Sequence, residues 1–145
     1  MKITINTDGG ARKNPGPAAV GVVIANENSE IIKKYGQAIG KATNNEAEYQ
    51  AVIIALQKAK LLFGKEKSKQ IDVEIRLDSE LVAKQINHEY KLKEEHIQKL
   101  FIMVWNLMMD FNSVVFHHIP RERNKEADKL VNEALDNQNK NVSLF

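Results

Sequence analysis

The sequence predicts an α/β domain built on a mixed sheet, and three observations carry that prediction. Short segments with the period of a half-buried strand recur along the chain, at residues 3–8, 18–25, 31–39, 71–77 and 113–119. Between them lie longer segments whose apolar residues fall at helical spacing. Their order is three strands, a helix, a strand, two helices, a strand and a helix, which describes helices packed on a mixed sheet. With 145 residues, 43% of them hydrophobic and 28% charged, the chain is expected to be one soluble domain able to cover both faces of that sheet. Residues 1–137 are read as the domain and residues 138–145 as a polar tail ending in Leu144 and Phe145.

The first strand alternates Ile3 and Ile5 with Thr4 and Asn6 and leads into DGGARKNPGP, with Asp8 at the junction. Gly9, Gly10, Pro15, Gly16 and Pro17 read as a turn that lets backbone come close to a ligand. Residues 18–25 (AAVGVVIA) form the second strand. A polar turn, NENSE, leads to the third at residues 31–39, completing an antiparallel meander. A long helix follows from Asn44 or Asn45, either of which suits an N-cap, and Gly64 stops it after Phe63. Ala47, Ala51, Ala55 and Ala59 recur every fourth position along it, a stripe narrow enough to lie close on a sheet, and Glu48 borders that stripe.

Residues 65–70 (KEKSKQ) read as a charged loop, and the lysines from Lys58 to Lys69 are better explained as solvated than as a nucleic-acid patch. IDVEIRL is the cleanest strand and ends in Asp78, with Ser79 opening a short helix whose apolar positions are Leu81, Val82 and Ile86. The next helix carries Ile97, Leu100, Phe101, Val104, Leu107, Met108 and Phe111 on one face, and Trp105 beside them is expected to pack. Residues 113–119 form the last strand. PRER makes a short loop, and Asn124 caps a final helix with Ala127, Leu130, Val131 and Ala134 facing inward and Asp128 in its opening turns. With no apolar stripe left over, a monomer is expected.

Composition excludes some chemistry. The net charge of +2 is too small to establish a polyanionic partner, and the absence of cysteine removes disulfides, thiol catalysis and the usual ligands of structural zinc. No apolar run approaches the roughly 18 residues of a membrane span, and Met1 leads directly into the first strand, so a cytoplasmic protein without a membrane partner is expected. His88, His96, His117 and His118 make no HExxH pattern, and no phosphate-loop or nucleophile-elbow motif occurs. What stands out by position is four carboxylates: Asp8 and Asp78 at strand ends, and Glu48 and Asp128 near helix starts, where functional groups of α/β sheets gather. Brought together unpaired they would repel one another and raise their own pKa values, a situation that a hard divalent cation relieves. Two magnesium ions shared by carboxylates are a recurrent device for phosphodiester hydrolysis.

TDGGARKNPGP with Asp8, TNNEAEYQA with Glu48, Asp78 and Ser79 after IRL, and HIPRERNKEAD ending in Asp128 resemble the four signature blocks of type 1 ribonuclease H, in family order and over essentially the whole chain. The resemblance implies a ribonuclease H-like fold with a five-stranded sheet in the order 3-2-1-4-5. It implies an endonuclease that cuts the RNA strand of RNA/DNA hybrids without sequence preference, leaving 5′-phosphate and 3′-hydroxyl ends. It also implies roles. Asp8, Glu48, Asp78 and Asp128 would bind two Mg²⁺ or Mn²⁺ ions, with Asp8 bridging and Glu48 near the RNA 2′-hydroxyl. Gly9, Gly10, Ala11 and Asn14 would contact RNA, Asn45 and Ser79 the hybrid, and Thr43 a phosphate of the DNA strand.

The departures from the family are informative too. Where many bacterial members carry a loop histidine before the last aspartate, His118 has the spacing but lies in a strand pattern, and Arg121 in the short PRER loop is the better match. The stretch between Asn87 and Glu94 is too short for the basic handle of some members, and no separate hybrid-binding domain precedes Met1, so Lys91 and Lys93 or the earlier lysines would have to supply positive charge. Cleavage of RNA/RNA duplexes stays open as a side activity. The alternatives are a DNA nuclease of the same fold and a noncatalytic nucleic-acid-binding module.

Overall fold

The computed structural model describes the backbone of residues 1–143 and the side chains of residues 1–138. A five-stranded sheet, in the order β3-β2-β1-β4-β5, is formed by β1 (Lys2–Ala11), β2 (Gly16–Ala25), β3 (Ile31–Ala42), β4 (Asp72–Leu77) and β5 (Ser113–His118). The first three strands pair antiparallel, whereas β4 runs parallel to both β1 and β5, so the sheet is mixed as the sequence predicts. The helices are α1 (Asn44–Phe63), the single turn α2 (Lys65–Ser68), α3 (Glu80–Ile86), α4 (Glu95–Met108) and α5 (Lys125–Ser143), with a 3₁₀ turn at Arg121–Arg123.

Alternation sets the core. Ile3 and Ile5 of β1 and Val73, Ile75 and Leu77 of β4 are at most 1% exposed, and the alanine stripe of α1, Ala47, Ala51, Ala55 and Ala59, is wholly buried against the sheet. β2 is covered by α1 on one face and α5 on the other, which explains why its sequence is apolar without a break instead of alternating.

Several boundaries differ from the sequence reading, each for a physical reason. β1 does not stop at Asp8: antiparallel pairing with β2 continues through Ala11↔Ala18, so Gly9 and Gly10 are strand residues. Thr43, not Asn44 or Asn45, caps α1, because β3 runs to Ala42 and leaves Thr43 at the bend. Residues 65–68 of the expected loop form the turn α2, fastened by Ser68 Oγ donating to the Gly64 carbonyl. In α3 it is Ala83 that faces inward with Val82 and Ile86, while Leu81 is exposed. Trp105 is 57% exposed, and with Ile102 and Met109 it forms an outward apolar face on α4, contrary to the expected packing role and to the expectation that no apolar stripe is spare. The last helix runs through residue 138 to Ser143; Leu144 and Phe145 lie outside the described residues.

Of the lysines between Lys58 and Lys69, three are engaged within the fold. Lys58 lies over the Tyr35 ring, Lys67 lies over the Phe63 ring, and Lys60 pairs with Asp110 at 3.1 Å.

Candidate active site

The site forms where the sheet changes its pairing. β1 pairs with β4 only as far as Thr7↔Leu77, yet stays paired with β2 for four residues more. Asp8 is therefore the first residue of β1 with an open flank, and Asp78, one residue past the end of β4, turns into that notch. Two glycines bring the other carboxylates in. A Cβ on Gly9 would collide with the Ala47 carbonyl of α1, so the bare backbone is what allows α1 to lie there with Glu48 beside Asp8. Gly21, the cross-strand partner of Asp8, does the same for α5: a Cβ would meet the Ala127 carbonyl, next to Asp128.

The start of α1 is fixed as well as close. Thr43 Oγ1 accepts from the Glu46 amide at 3.1 Å, and Glu46 Oε1 accepts from the Thr43 amide at 2.9 Å, a reciprocal cap that holds the turn preceding Glu48. Asp78 is followed directly by the cap of α3, in which Ser79 Oγ accepts from the Val82 amide at 3.2 Å.

Carboxylate oxygens of Asp8, Glu48 and Asp78 lie within 4.8 Å of one another. Asp8 and Glu48 are each 7% exposed, Asp78 is half-buried, and the more exposed Asp128 lines the same cleft. Burial, reinforced by the neighbouring charge of Asp78, pushes the Asp8 carboxyl up to about 7. Glu48 is raised well above the ordinary carboxylate range, first by burial and then by Asp8, although the Gly9 amide donates to it. Glu48 Oε2 is buried with no hydrogen-bond partner. The cluster thus resists carrying its full charge.

The cleft, about 510 Å³, is also lined by Gly9, Gly10, Ala11 and Asn14 from the β1–β2 hairpin, by Asn45 and Ser79, and by Arg121 from the 3₁₀ turn. The Ala11 amide is already donated to Asn44 Oδ1 at 2.8 Å, so it is not free to bind a ligand. Thr43 and His118 are not among the lining residues. Thr43 is committed to the helix cap, and His118 is an exposed residue at the end of β5.

Among the residues not singled out from sequence as part of the site, three polar ones make the contacts that tie it together. Asn44 ties the hairpin to α1, accepting from Ala11 and donating its amide to Asn14 Oδ1 at 2.9 Å. Arg12 lines the cleft and pairs with Asp136 of α5 at 2.6 Å. Asn124 donates from Nδ2 to Asp78 Oδ2 at 3.2 Å. The sequence signal was present for Asn44 and Asn124, but both read as helix caps; Arg12 carried none beyond its place in the glycine-rich block.

Comparison with known proteins agrees with this geometry. The family model described as reverse transcriptase-like matches residues 6–134. Ribonuclease HI of Halobacterium salinarum is 41% identical over 129 residues, covering 89% of this chain and 62% of that protein. A bifunctional protein of Mycobacterium tuberculosis is 38% identical over 137 residues, covering 94% of this chain and 36% of that protein. The chain therefore spans less than two thirds of the length of these curated relatives. Among solved structures, LC11-RNase H1, isolated from compost by a metagenomic approach, is 45% identical with a TM-score of 0.88, covering 94% of this chain and 97% of that one. The same protein in complex with an RNA/DNA hybrid gives a TM-score of 0.89 at 45% identity, covering 94% of this chain and 98% of that one. With its sheet order, its carboxylate cluster and these relatives in agreement, the chain belongs to the reverse transcriptase-like family, among its type 1 ribonuclease H members.

Proposed function

We propose that this protein is a metal-dependent endoribonuclease that hydrolyses the RNA strand of RNA/DNA hybrids, leaving 5′-phosphate and 3′-hydroxyl ends. The observation that carries this reading is the convergence of Asp8, Glu48 and Asp78 within 4.8 Å, inside a cleft that Asp128 also lines. The donor set fits a hard divalent cation: it consists of carboxylate oxygens alone, and one of them, Glu48 Oε2, is buried without a partner. Two Mg²⁺ ions, with Mn²⁺ as a substitute, would supply an activated water and stabilise charge on the leaving 3′-oxygen.

The chain's own groups do the rest. Asp8, whose carboxyl neighbours those of Glu48, Asp78 and Asp128, would be a ligand shared between the ions, and Glu48 would lie near the RNA 2′-hydroxyl. Ser79, Asn45 and Asn14 face the cleft with neutral polar side chains suited to sugar and backbone contacts that read shape without sequence. Arg12 and Arg121 are the cationic residues of the lining, which His118 does not join, and Arg121 is the residue proposed to assist at the phosphate. Thr43, at the mouth of α1, is proposed to meet a phosphate of the second strand. The absence of cysteine suits a reducing, cytoplasmic setting, where removal of RNA from hybrids formed during DNA replication is a fitting task.

The test is cleavage of end-labelled RNA/DNA, RNA/RNA and DNA/DNA duplexes in Mg²⁺ or Mn²⁺ by wild type and Asp8→Asn. RNA-strand cutting that Asp8→Asn abolishes, with DNA untouched, is the expected result. Cleavage of DNA duplexes would instead indicate a DNA nuclease, and a folded wild type that binds hybrid but cuts nothing would indicate a noncatalytic module. Cutting of the RNA/RNA duplex would define the side activity.

A further inference from the structure

Asn124 is the point at which the carboxylate-bearing segments meet. It is 1% exposed, at the foot of α5. Its side-chain Nδ2 donates to the Thr7 carbonyl at 2.8 Å, one residue before Asp8, and to Asp78 Oδ2 at 3.2 Å. Its backbone carbonyl accepts from the Asp128 amide at 3.1 Å, and its own amide donates to the Arg121 carbonyl at 3.0 Å. One buried residue is thus bonded to Asp78 itself, to the peptide preceding Asp8, to the backbone of Asp128 and to the turn carrying Arg121.

The orientation of the side-chain amide is over-determined. Asn6 Nδ2 lies 3.4 Å from the Arg123 carbonyl, which only a donor can face, and the same nitrogen lies 3.3 Å from Asn124 Oδ1. That assigns oxygen to the Asn6 side of Asn124 and leaves its NH₂ for the Thr7 carbonyl and Asp78. A flipped amide would set oxygen against two acceptors.

We propose that Asn124 is a positioning residue for the metal site: its N–H holds the Asp78 carboxylate in the orientation in which it shares a cation with Asp8 and Glu48. The proposal rests on the reading of the cluster as a divalent-metal site. Asparagine suits the task because it donates a hydrogen bond to a ligand carboxylate without adding a positive charge that would compete with the cation. Aspartate at this position would turn acceptors on the Thr7 carbonyl and Asp78.

The test uses the full chain and the variants Asn124→Ala and Asn124→Asp, with folding checked by circular dichroism. Two quantities are read: Mn²⁺ binding by electron paramagnetic resonance, and the Mg²⁺ midpoint of RNA-strand cleavage. Loss of a hydrogen-bond partner to a metal ligand typically weakens metal affinity about 10- to 100-fold. The expected result for Asn124→Ala is a midpoint raised by about that factor, with KM for hybrid unchanged and most of kcat recovered at saturating Mg²⁺; Asn124→Asp should be worse. A folded Asn124→Ala with wild-type Mn²⁺ binding and Mg²⁺ midpoint would overturn the proposal. Should both variants fail to fold, the side-chain amide protons of Asn124 in the wild type decide it: they should exchange slowly and shift on addition of Mg²⁺, and resonances indifferent to saturating Mg²⁺ would overturn it. A wild type that binds Mn²⁺ through Asp8 but cleaves no hybrid would sink the enzymatic reading alone, whereas one that binds no Mn²⁺ would sink both.

Discussion

Asp8 shows how a single residue couples stability to acidity. Its carboxyl is raised from 3.8 to about 7, so between those values the folded protein holds a proton that the unfolded chain has released. Stability therefore falls as pH rises across that window. The metal-free protein is expected to melt at a lower temperature at pH 8 than at pH 5.5, and Asp8→Asn, which removes the charge while keeping the shape, should flatten this dependence. At pH 8 without metal, Asp8→Asn should melt at least about 2 °C above wild type, the shift produced by about 1 kcal/mol in a domain of this size. A divalent cation competes with the same proton, so Mg²⁺ affinity should climb with pH through about 7 and binding should release protons, which calorimetry in buffers of different ionisation enthalpy would count. A melting temperature that rises from pH 5.5 to 8 in EDTA would contradict this account. The four carboxylates were legible from sequence because each reads as lying at or near an element boundary, although β1 in fact runs on past Asp8 to Ala11; their perturbed acidity was legible only as a consequence of assembling them.

At the scale of elements, the two glycines that admit α1 and α5 are the features on which the cluster depends. Gly9→Ala and Gly21→Ala each drive a methyl group into helix backbone, where no side chain can swing aside. Overpacking of that kind costs about 1–3 kcal/mol, which urea denaturation would register. Each should also lower cleavage by displacing Glu48 or Asp128, so loss of activity should exceed what the unfolded fraction explains. Thr43→Ala removes the reciprocal cap of α1 and is expected to cost about 1 kcal/mol, whereas Asn45→Ala should cost far less stability, since Asn45 caps nothing. The sequence pointed to Asn44 or Asn45 and passed over Thr43, which suits an N-cap as well; the extent of β3 decides for Thr43. It likewise ended β1 at Asp8 because Gly9 and Gly10 read as a turn, while pairing with Val20 and Ala19 of β2 keeps them in the sheet.

For the molecule as a whole, topology was readable because strand and helix patterns alternate clearly and the four blocks occur in order. Which outer faces stay bare was not readable, since helical spacing shows which residues share a face and not how much of that face a neighbour covers. The cleft carries Arg12 and Arg121 against four carboxylates, no lysine among the described residues lines it, and lysines at the end of α1 and in α2 are partly engaged with Tyr35, Phe63 and Asp110. Hybrid binding should therefore depend only modestly on salt: with about two phosphates neutralised, a plot of log affinity against log salt should have a slope near about −2. A slope of −5 or steeper in fluorescence-anisotropy titrations would mean that Lys91, Lys93 and the α1–α2 lysines grip the duplex as well.

Trp105 is the sole tryptophan of the chain and stands more than half exposed on α4. An indole already in water changes its surroundings little when the chain unfolds, so its emission is a poor gauge of denaturation, and melting curves for this protein belong to circular dichroism. The same exposure makes the indole a ready-made lamp on the outer face of the molecule, one whose colour and quenching respond to whatever settles beside Ile102 and Met109.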